Sequence, residues 1–177
     1  MVKHIHRFDT AINRWIISFF GRSAKSRFEA ITLLGSPWVL LGIAIAIVGV
    51  GLYVLNNALV LSGMLIPATL MASAATKILI GRSRPISEYA KNMKTLSFPS
   101  GHSSGAVITY GLLAMILFTL ADFPWNWVSL VLGGGIPLLI GISRVYLGAH
   151  FASDVLAGWL LGLAVLLYVI EFVRPLA

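Results

Sequence analysis

Residues 58–76 read ALVLSGMLIPATLMASAAT, nineteen positions without a charge, and the chain then breaks into Lys77-Ile-Leu-Ile-Gly-Arg82-Ser-Arg84-Pro85. A helix needs about 20 apolar residues to cross the hydrocarbon of a bilayer, so this stretch reads as a membrane span leading directly into a cationic loop. The same reading applies to Pro37–Leu55, Ser103–Ala121 and Trp125–Ser143, each 19 residues without charge, and to Phe151–Ile170, 20 residues whose one charged side chain is Asp154. Glycine and proline inside these runs (Gly49, Gly51, Pro67, Gly133, Gly134, Gly135, Pro137) are tolerated in membrane helices, whose freed backbone groups find partners within the bundle. Gly158 and Gly162 form a G-x-x-x-G pair, which favours close helix packing within the bundle over a dimer contact.

Composition agrees. The chain has 177 residues, 58% hydrophobic and only 11% charged, with mean hydropathy +0.92. A soluble domain carries about 25% charged residues, so these residues cannot cover a water-facing surface. The absence of cysteine removes disulfides, thiolate catalysis, Cys-ligated zinc and iron–sulfur clusters. A net charge of +7 fits nucleic acid in principle, but the aromatic residues lie mostly inside apolar runs rather than among the basic ones. The expected partners are therefore the lipid bilayer and an anionic lipid substrate, with no nucleic acid.

Residues 1–29 differ from the rest. Phe8, Ile12, Trp15, Ile16 and Phe19 recur at helical spacing, while Arg7, Arg14, Arg22, Lys25 and Arg27 crowd the other positions and the following turn. This predicts an amphipathic helix in the headgroup plane. As a signal peptide it is poor: the apolar stretch Trp15–Phe20 is six residues, with no small-residue cleavage site after it. The predicted fold is an all-α, multi-pass transmembrane bundle of about five spans (30–177) preceded by a basic interfacial segment (1–29).

Five crossings sort the loops. The N-terminal segment, the loop at residues 82–100 and the connection at residues 144–149 share one face. The turns at Asn56-Asn57 and residues 122–124 share the other with the C-terminus. Twelve of the 13 Lys and Arg fall on or near the first face, leaving Arg174 opposite. The positive-inside rule places that face in the cytoplasm.

Three clusters on it carry chemistry. Lys77 and Arg84 are seven residues apart, so they point the same way if the helix continues, and Pro85 should end the helix at Arg84. A lysine in an apolar run costs roughly 2.5–3.5 kcal/mol at a span's centre unless it snorkels to the surface or has a task. In Phe98-Pro-Ser-Gly-His102, Ser100 can cap the next helix and Gly101 admits another group close to the backbone. The free N–H groups there form an anion site, beside which His102 can donate a proton. In Ser143-Arg144-Val-Tyr-Leu-Gly-Ala-His150-Phe-Ala-Ser-Asp154, the last two ionisable residues are four apart and share a helix face. A carboxylate there can fix the histidine tautomer and leave the other ring nitrogen free as a nucleophile.

Lys77, Arg84 and Arg144, a helix N-terminus, two histidines and one carboxylate thus converge where phosphoryl transfer needs positioning and charge neutralisation. Beyond the N-terminal segment the acids on this face are Glu88 and Asp154, too few to hold Mg²⁺ or a metal pair. The expectation is a route without metal or cofactor, through a phosphohistidine.

K-x6-R-P (Lys77, Arg84, Pro85), P-S-G-H (Pro99–His102) and S-R-x5-H-x3-D (Ser143, Arg144, His150, Asp154) resemble the three-part signature of the type 2 phosphatidic acid phosphatase (PAP2) superfamily. That superfamily also includes vanadium-dependent haloperoxidases and bacterial acid phosphatases. All 11 signature positions match, in order. The resemblance implies His150 as nucleophile, Asp154 as its orienting partner and His102 as general acid, with Lys77, Arg84, Arg144 and the Ser100-Gly101 segment binding phosphate. Membrane members usually have six spans, against five plus an amphipathic segment here.

The implied activity is hydrolysis of a phosphomonoester or pyrophosphate of a lipid: phosphatidylglycerophosphate, phosphatidate or a prenyl phosphate such as undecaprenyl pyrophosphate. The alternatives are a vanadium-dependent haloperoxidase-like enzyme and a non-catalytic lipid-phosphate binding or transport protein. The loop at residues 86–98 is the expected determinant of headgroup choice.

Overall fold

The structure, a computed structural model, describes residues 2–91, 93 and 95–173. Of the charges counted above, Lys94, Arg174 and the side chain of Lys3 lie outside the described residues. Among the described residues seven α-helices follow in order: α1 (Val2–Phe20), α2 (Lys25–Leu33), α3 (Pro37–Tyr53), α4 (Asn57–Ile80), α5 (Gly101–Leu120), α6 (Trp125–Tyr146) and α7 (Ala152–Tyr168). A 3₁₀ turn at Arg22–Ala24 joins α1 to α2, and a π turn, Val169–Val173, extends α7. Five helical segments among the described residues are long and apolar enough to cross a membrane: Arg22–Tyr53, Asn57–Ile80, Gly101–Leu120, Trp125–Tyr146 and Ala152–Val173. The chain is an all-helical, multi-pass membrane protein.

The helix boundaries have local causes. Ser36 Oγ accepts from Val39 N at 3.4 Å, and Pro37 occupies the first helical position of α3. Asn56 Oδ1 caps α4 through Leu59 N at 2.9 Å, and Ser100 caps α5 through Ser103 N at 3.4 Å. Helix α4 stops earlier than Pro85 predicts. Gly81, left-handed at φ 67°, closes it after Ile80 and returns its N–H to Lys77 O. Helix α2 runs without a break across the 29/30 boundary read from composition; its Phe28 stacks on Tyr146 of α6, ring centroids 4.3 Å apart.

Large apolar side chains point outward along the spans, among them Trp38, Tyr53, Leu79 and Leu160. In water that exposure is prohibitive; in a bilayer it is the lipid-facing wall. The bundle interior is built from Leu40, Ile66, Ile108 and Leu112, all fully buried.

The glycine pair decides where the active end forms. A Cβ on Gly158 meets Ser100 O and Ser103, and one on Gly162 meets the carbonyl of Ser104. The small residues therefore bring the α7 backbone against the N-terminal turns of α5, the intramolecular role expected of them. Contact is sealed by a backbone bond from Ser100 N to Asp154 O at 3.0 Å.

Candidate active site

The loop after α4 closes on itself, Ser97 N donating to Arg82 O at 2.8 Å. Its base then becomes a frame for charged side chains. Lys77 Nζ donates to Pro99 O and, at 3.4 Å, to Ser97 O. Lys77 thus turns into the protein rather than snorkelling to the headgroups. Arg84 lies beyond the helix, in the loop, so it meets Lys77 by loop geometry rather than helical periodicity. Its Nε donates to Thr95 O (2.8 Å), Nη2 to Thr95 Oγ1 (2.7 Å) and Nη1 to Ala149 O (2.7 Å).

The third cluster differs in detail from its helical reading. His150 precedes α7 and is carried by the turn that follows α6, where Gly148 takes φ 65° and Ala149 N and His150 N both donate to Arg144 O. Asp154 sits at the third position of α7, fully buried. Its Oδ2 accepts from Phe151 N (2.9 Å) and Ser97 Oγ (2.8 Å), and Oδ1 from Arg82 Nη1 (2.6 Å). The first of these bonds caps the helix whose dipole favours a carboxylate there. His150 Nδ1 lies 3.7 Å from Asp154 Oδ2, beyond hydrogen-bond length, and has no other hydrogen-bond partner among the described residues.

At the opposite ring edge, Arg84 Nη1 is 3.1 Å from His150 Nε2. A guanidinium can only donate, so Nε2 is the unprotonated nitrogen and the proton is on Nδ1, facing Asp154. Burial pushes the His150 imidazole from its ordinary 6.5 down to about 4; Asp154 opposes this, while Arg144, Arg84 and Lys77 add to it. At neutral pH His150 is an uncharged base with its lone pair turned to the cations.

His102, in the first turn of α5, packs against the α2–α3 turn at Gly35 and lies within electrostatic reach of Arg144, His150, Arg84 and Lys77. Arg144 is buried, its Nη1 donating to Thr32 Oγ1 of α2 at 2.8 Å while its Nε has no partner among the described residues. All eight residues singled out in the sequence (Lys77, Arg84, Ser100, Gly101, His102, Arg144, His150, Asp154) gather at this one end. The side chains of Arg82, Ser97 and Asp9 were not singled out, although each holds Asp154 or its partner. The sequence signal for Asp9 was slight: a lone acid in a basic amphipathic helix. No cluster of histidine and acidic side chains suited to a metal occurs among the described residues.

A neutral imidazole, a second histidine and three cations around a helix N-terminus are the groups that binding and cleaving a phosphate ester calls for. A family model described as the PAP2 superfamily matches residues 51–176. Phosphatidylglycerophosphatase B of Bacillus subtilis is 36% identical over 137 residues, 75% of this chain and 67% of that protein. The undecaprenyl-diphosphatase of Sulfolobus acidocaldarius is 37% identical over 66 residues, 37% of this chain and 28% of that one. Among solved structures, the transmembrane PAP2 type phosphatidylglycerolphosphate phosphatase from Bacillus subtilis matches with TM-score 0.83 at 29% identity, covering 98% of this chain and 88% of that one. LpxE of Aquifex aeolicus shares the fold, with TM-score 0.63 at 20% identity over 92% and 94% of the two chains.

The chain belongs to the PAP2 superfamily. Within it, the chain is a membrane-embedded hydrolase of lipid phosphates, in the class of phosphomonoester and pyrophosphate hydrolases.

Proposed function

We propose that this enzyme removes the terminal phosphate of a glycerophospholipid phosphomonoester, with phosphatidylglycerophosphate as the favoured substrate, through a phosphohistidine on His150. The observation that carries the mechanism is the 3.1 Å contact between Arg84 Nη1 and His150 Nε2. It supports this reading because it turns the unprotonated ring nitrogen toward the guanidinium assigned here to the phosphate.

Lys77, Arg84, Arg144 and the Gly101 N–H take the phosphate oxygens, the Ser100 N–H being held by Asp154 O, and the guanidinium forks neutralise the charge that the equatorial oxygens carry in the transition state. His150 Nε2 attacks phosphorus as the bond to the lipid oxygen breaks. His102, carrying a proton, gives it to that oxygen, and the dephosphorylated lipid alcohol leaves. Asp154 stabilises the positive charge that develops on the His150 ring. Water then attacks the phosphohistidine, His102 takes its proton, and inorganic phosphate departs with His150 neutral again.

Residues 1–29 form an interfacial segment resting on the headgroups, supported by the outward Trp15 and Phe19. The catalytic face is cytoplasmic, supported by Arg7, Arg14, Arg22, Lys25 and Arg27, none of which belongs to the phosphate site. Support for the headgroup comes from the name and identity of the Bacillus subtilis relative; the prenyl pyrophosphate is the competing substrate.

The test is phosphate release by purified enzyme from a panel of phosphatidylglycerophosphate, phosphatidate and undecaprenyl pyrophosphate, with His150→Ala as control. Preference for the pyrophosphate overturns the substrate assignment, and turnover by His150→Ala overturns the mechanism. Because the chain has no cysteine, a single Lys25→Cys reports orientation. Labelling of intact cells by an impermeant thiol reagent overturns the cytoplasmic placement.

A further inference from the structure

Helix α1 carries a buried acid that an interfacial anchor does not need. Asp9 is 2% exposed. Its Oδ1 accepts from Ser153 N (2.9 Å), and its Oδ2 from Ser153 Oγ (2.9 Å) and Arg82 Nη2 (2.7 Å). Arg82 therefore spans two carboxylates, with Nη2 on Asp9 and Nη1 on Asp154 Oδ1 (2.6 Å) and Ser153 Oγ (2.7 Å). Its guanidinium also lies over the Phe151 ring, 4.3 Å from the centroid.

We propose that Asp9 is a positioning residue for the hydrolytic reaction: through Arg82 it sets the orientation and effective charge of Asp154, making helix α1 part of the catalytic constellation. The inference rests on the assignment of His150 and Asp154 made above.

The physical case is one of balance. Asp154 is held at both oxygens: Phe151 N and Ser97 Oγ hold Oδ2, the oxygen facing His150, and Arg82 holds Oδ1 and with it the tilt and charge of the carboxylate. One guanidinium shared between two carboxylates leaves Asp154 enough negative charge to stabilise an imidazolium on His150. Without Asp9, the whole charge of Arg82 falls on Asp154 and draws the carboxylate away from the histidine. Helix α1 also walls the cavity of about 310 Å³ beside His150, through Asp9, Thr10, Asn13 and Ile17, and Asn13 Nδ2 ties it to Val145 O at 2.8 Å. The charged and titratable groups facing the His150–Asp154 pair are Lys77 from α4, Arg82 and Arg84 from the loop, His102 from α5 and Arg144 from α6. Asp9 is the acid that offsets them from α1.

Asp9→Asn separates tethering from charge. The amide oxygen still accepts from Ser153 N, so α1 stays docked, while the amide nitrogen cannot accept from Arg82. The hydrogen-bonded partners that orient metal ligands are worth roughly 10–100-fold in activity, and the same range is expected for this orienting contact. The expected result is a kcat lower by that factor with KM unchanged, and an acid limb of kcat/KM moved to lower pH, because His150 loses a compensating negative charge. A protein merely loosened by the change shows a lower plateau with the limb unmoved; that outcome, or wild-type kcat, overturns the proposal. Where Asp9→Asn yields no folded protein, Arg82→Lys serves, since an ammonium cannot bridge both carboxylates. It must lower kcat with KM unchanged, and full activity overturns the inference. His150→Ala, assayed alongside, separates the two readings: turnover there defeats the nucleophile assignment, whereas an inactive His150→Ala with a fully active Asp9→Asn defeats only the role of α1.

Discussion

Arg84 and His150 are locked edge to edge: the guanidinium Nη1 stands 3.1 Å from the imidazole Nε2, and because arginine has no acceptor, the nitrogen it meets carries the lone pair. One contact thereby sets the tautomer and, in the proposed reaction, aims His150 at the phosphate. Substrate needs only to insert its phosphate between the two, trading an Arg–His bond for a charge-assisted Arg–phosphate pair.

Replacing His150 by Ala removes the nucleophile. Activity is expected to fall roughly 10³-fold or more while the protein keeps its thermal transition in detergent. Trapping the wild-type intermediate as a covalent phosphate label after an alkaline quench checks the chemistry. The label should be acid-labile and base-stable, as a phosphoramidate is, and absent from the variant.

Arg84→Lys keeps a charge but loses the fork. Its cost falls on both ends of that contact, since phosphate loses a bidentate partner and His150 loses its tautomer constraint. A drop of roughly 10²–10³-fold in kcat/KM follows for one lost transition-state donor, measured by phosphate release. An unchanged value refutes the arrangement.

Asp154→Asn places an amide nitrogen where the carboxylate accepts from Arg82, or from Ser97 and Phe151 N. One buried donor then faces another, at a cost of about 1–3 kcal/mol, which lowers the melting temperature. The rate should fall more steeply than stability, roughly 10²–10⁴-fold, with substrate affinity largely kept.

The pH behaviour follows from His150. Its folded value of about 4 lies below the ordinary 6.5, so the folded state favours the neutral ring. Stability is fully present above pH 6.5, falls as pH drops toward 4 and levels off below it. The span corresponds to about 3 kcal/mol at most. Melting curves of wild type and His150→Ala in detergent check this, the variant lacking the slope that His150 supplies. The acid limb of kcat/KM that belongs to the nucleophile should likewise lie well below pH 6.5.

Gly158→Val forces a branched side chain against Ser100 O and Ser103, pushing α7 away from the α5 N-terminus. Loss of about 1–3 kcal/mol is expected, with activity falling further because Asp154 and His102 separate. Gly134→Ala is the control: nothing lies within 4 Å of its added Cβ, and it should melt and turn over as wild type.

Much of the molecule is readable along the chain, because a bilayer makes hydropathy a linear code. Nineteen uncharged residues mean a span wherever they occur, and an odd or even number of crossings sorts the loops between two faces. Lys77, Arg84, His102, Arg144, His150 and Asp154 stood out because charged and titratable side chains are scarce in such a sequence and expensive at membrane depth. The residues that the chain left unmarked are those whose meaning is pairwise. Asp9 and Arg82 are 73 positions apart, and no periodicity couples an interfacial helix to a loop. Helix α4 ended at Gly81 rather than at Pro85 because a left-handed glycine stops a helix before a downstream proline can. Arg84 consequently reaches His150 from a loop.

The sequence by itself determined the solvent of this protein, the number of crossings and the chemical inventory of one face, since each depends on residue type and order alone. Only the tertiary structure decided that Gly158 and Gly162 draw α7 onto α5, that His150 presents Nε2 to Arg84, and that Arg82 is shared between Asp154 and Asp9 of helix α1. Those are relations between backbones and lone pairs brought together by packing, and they exist only when the chain has closed.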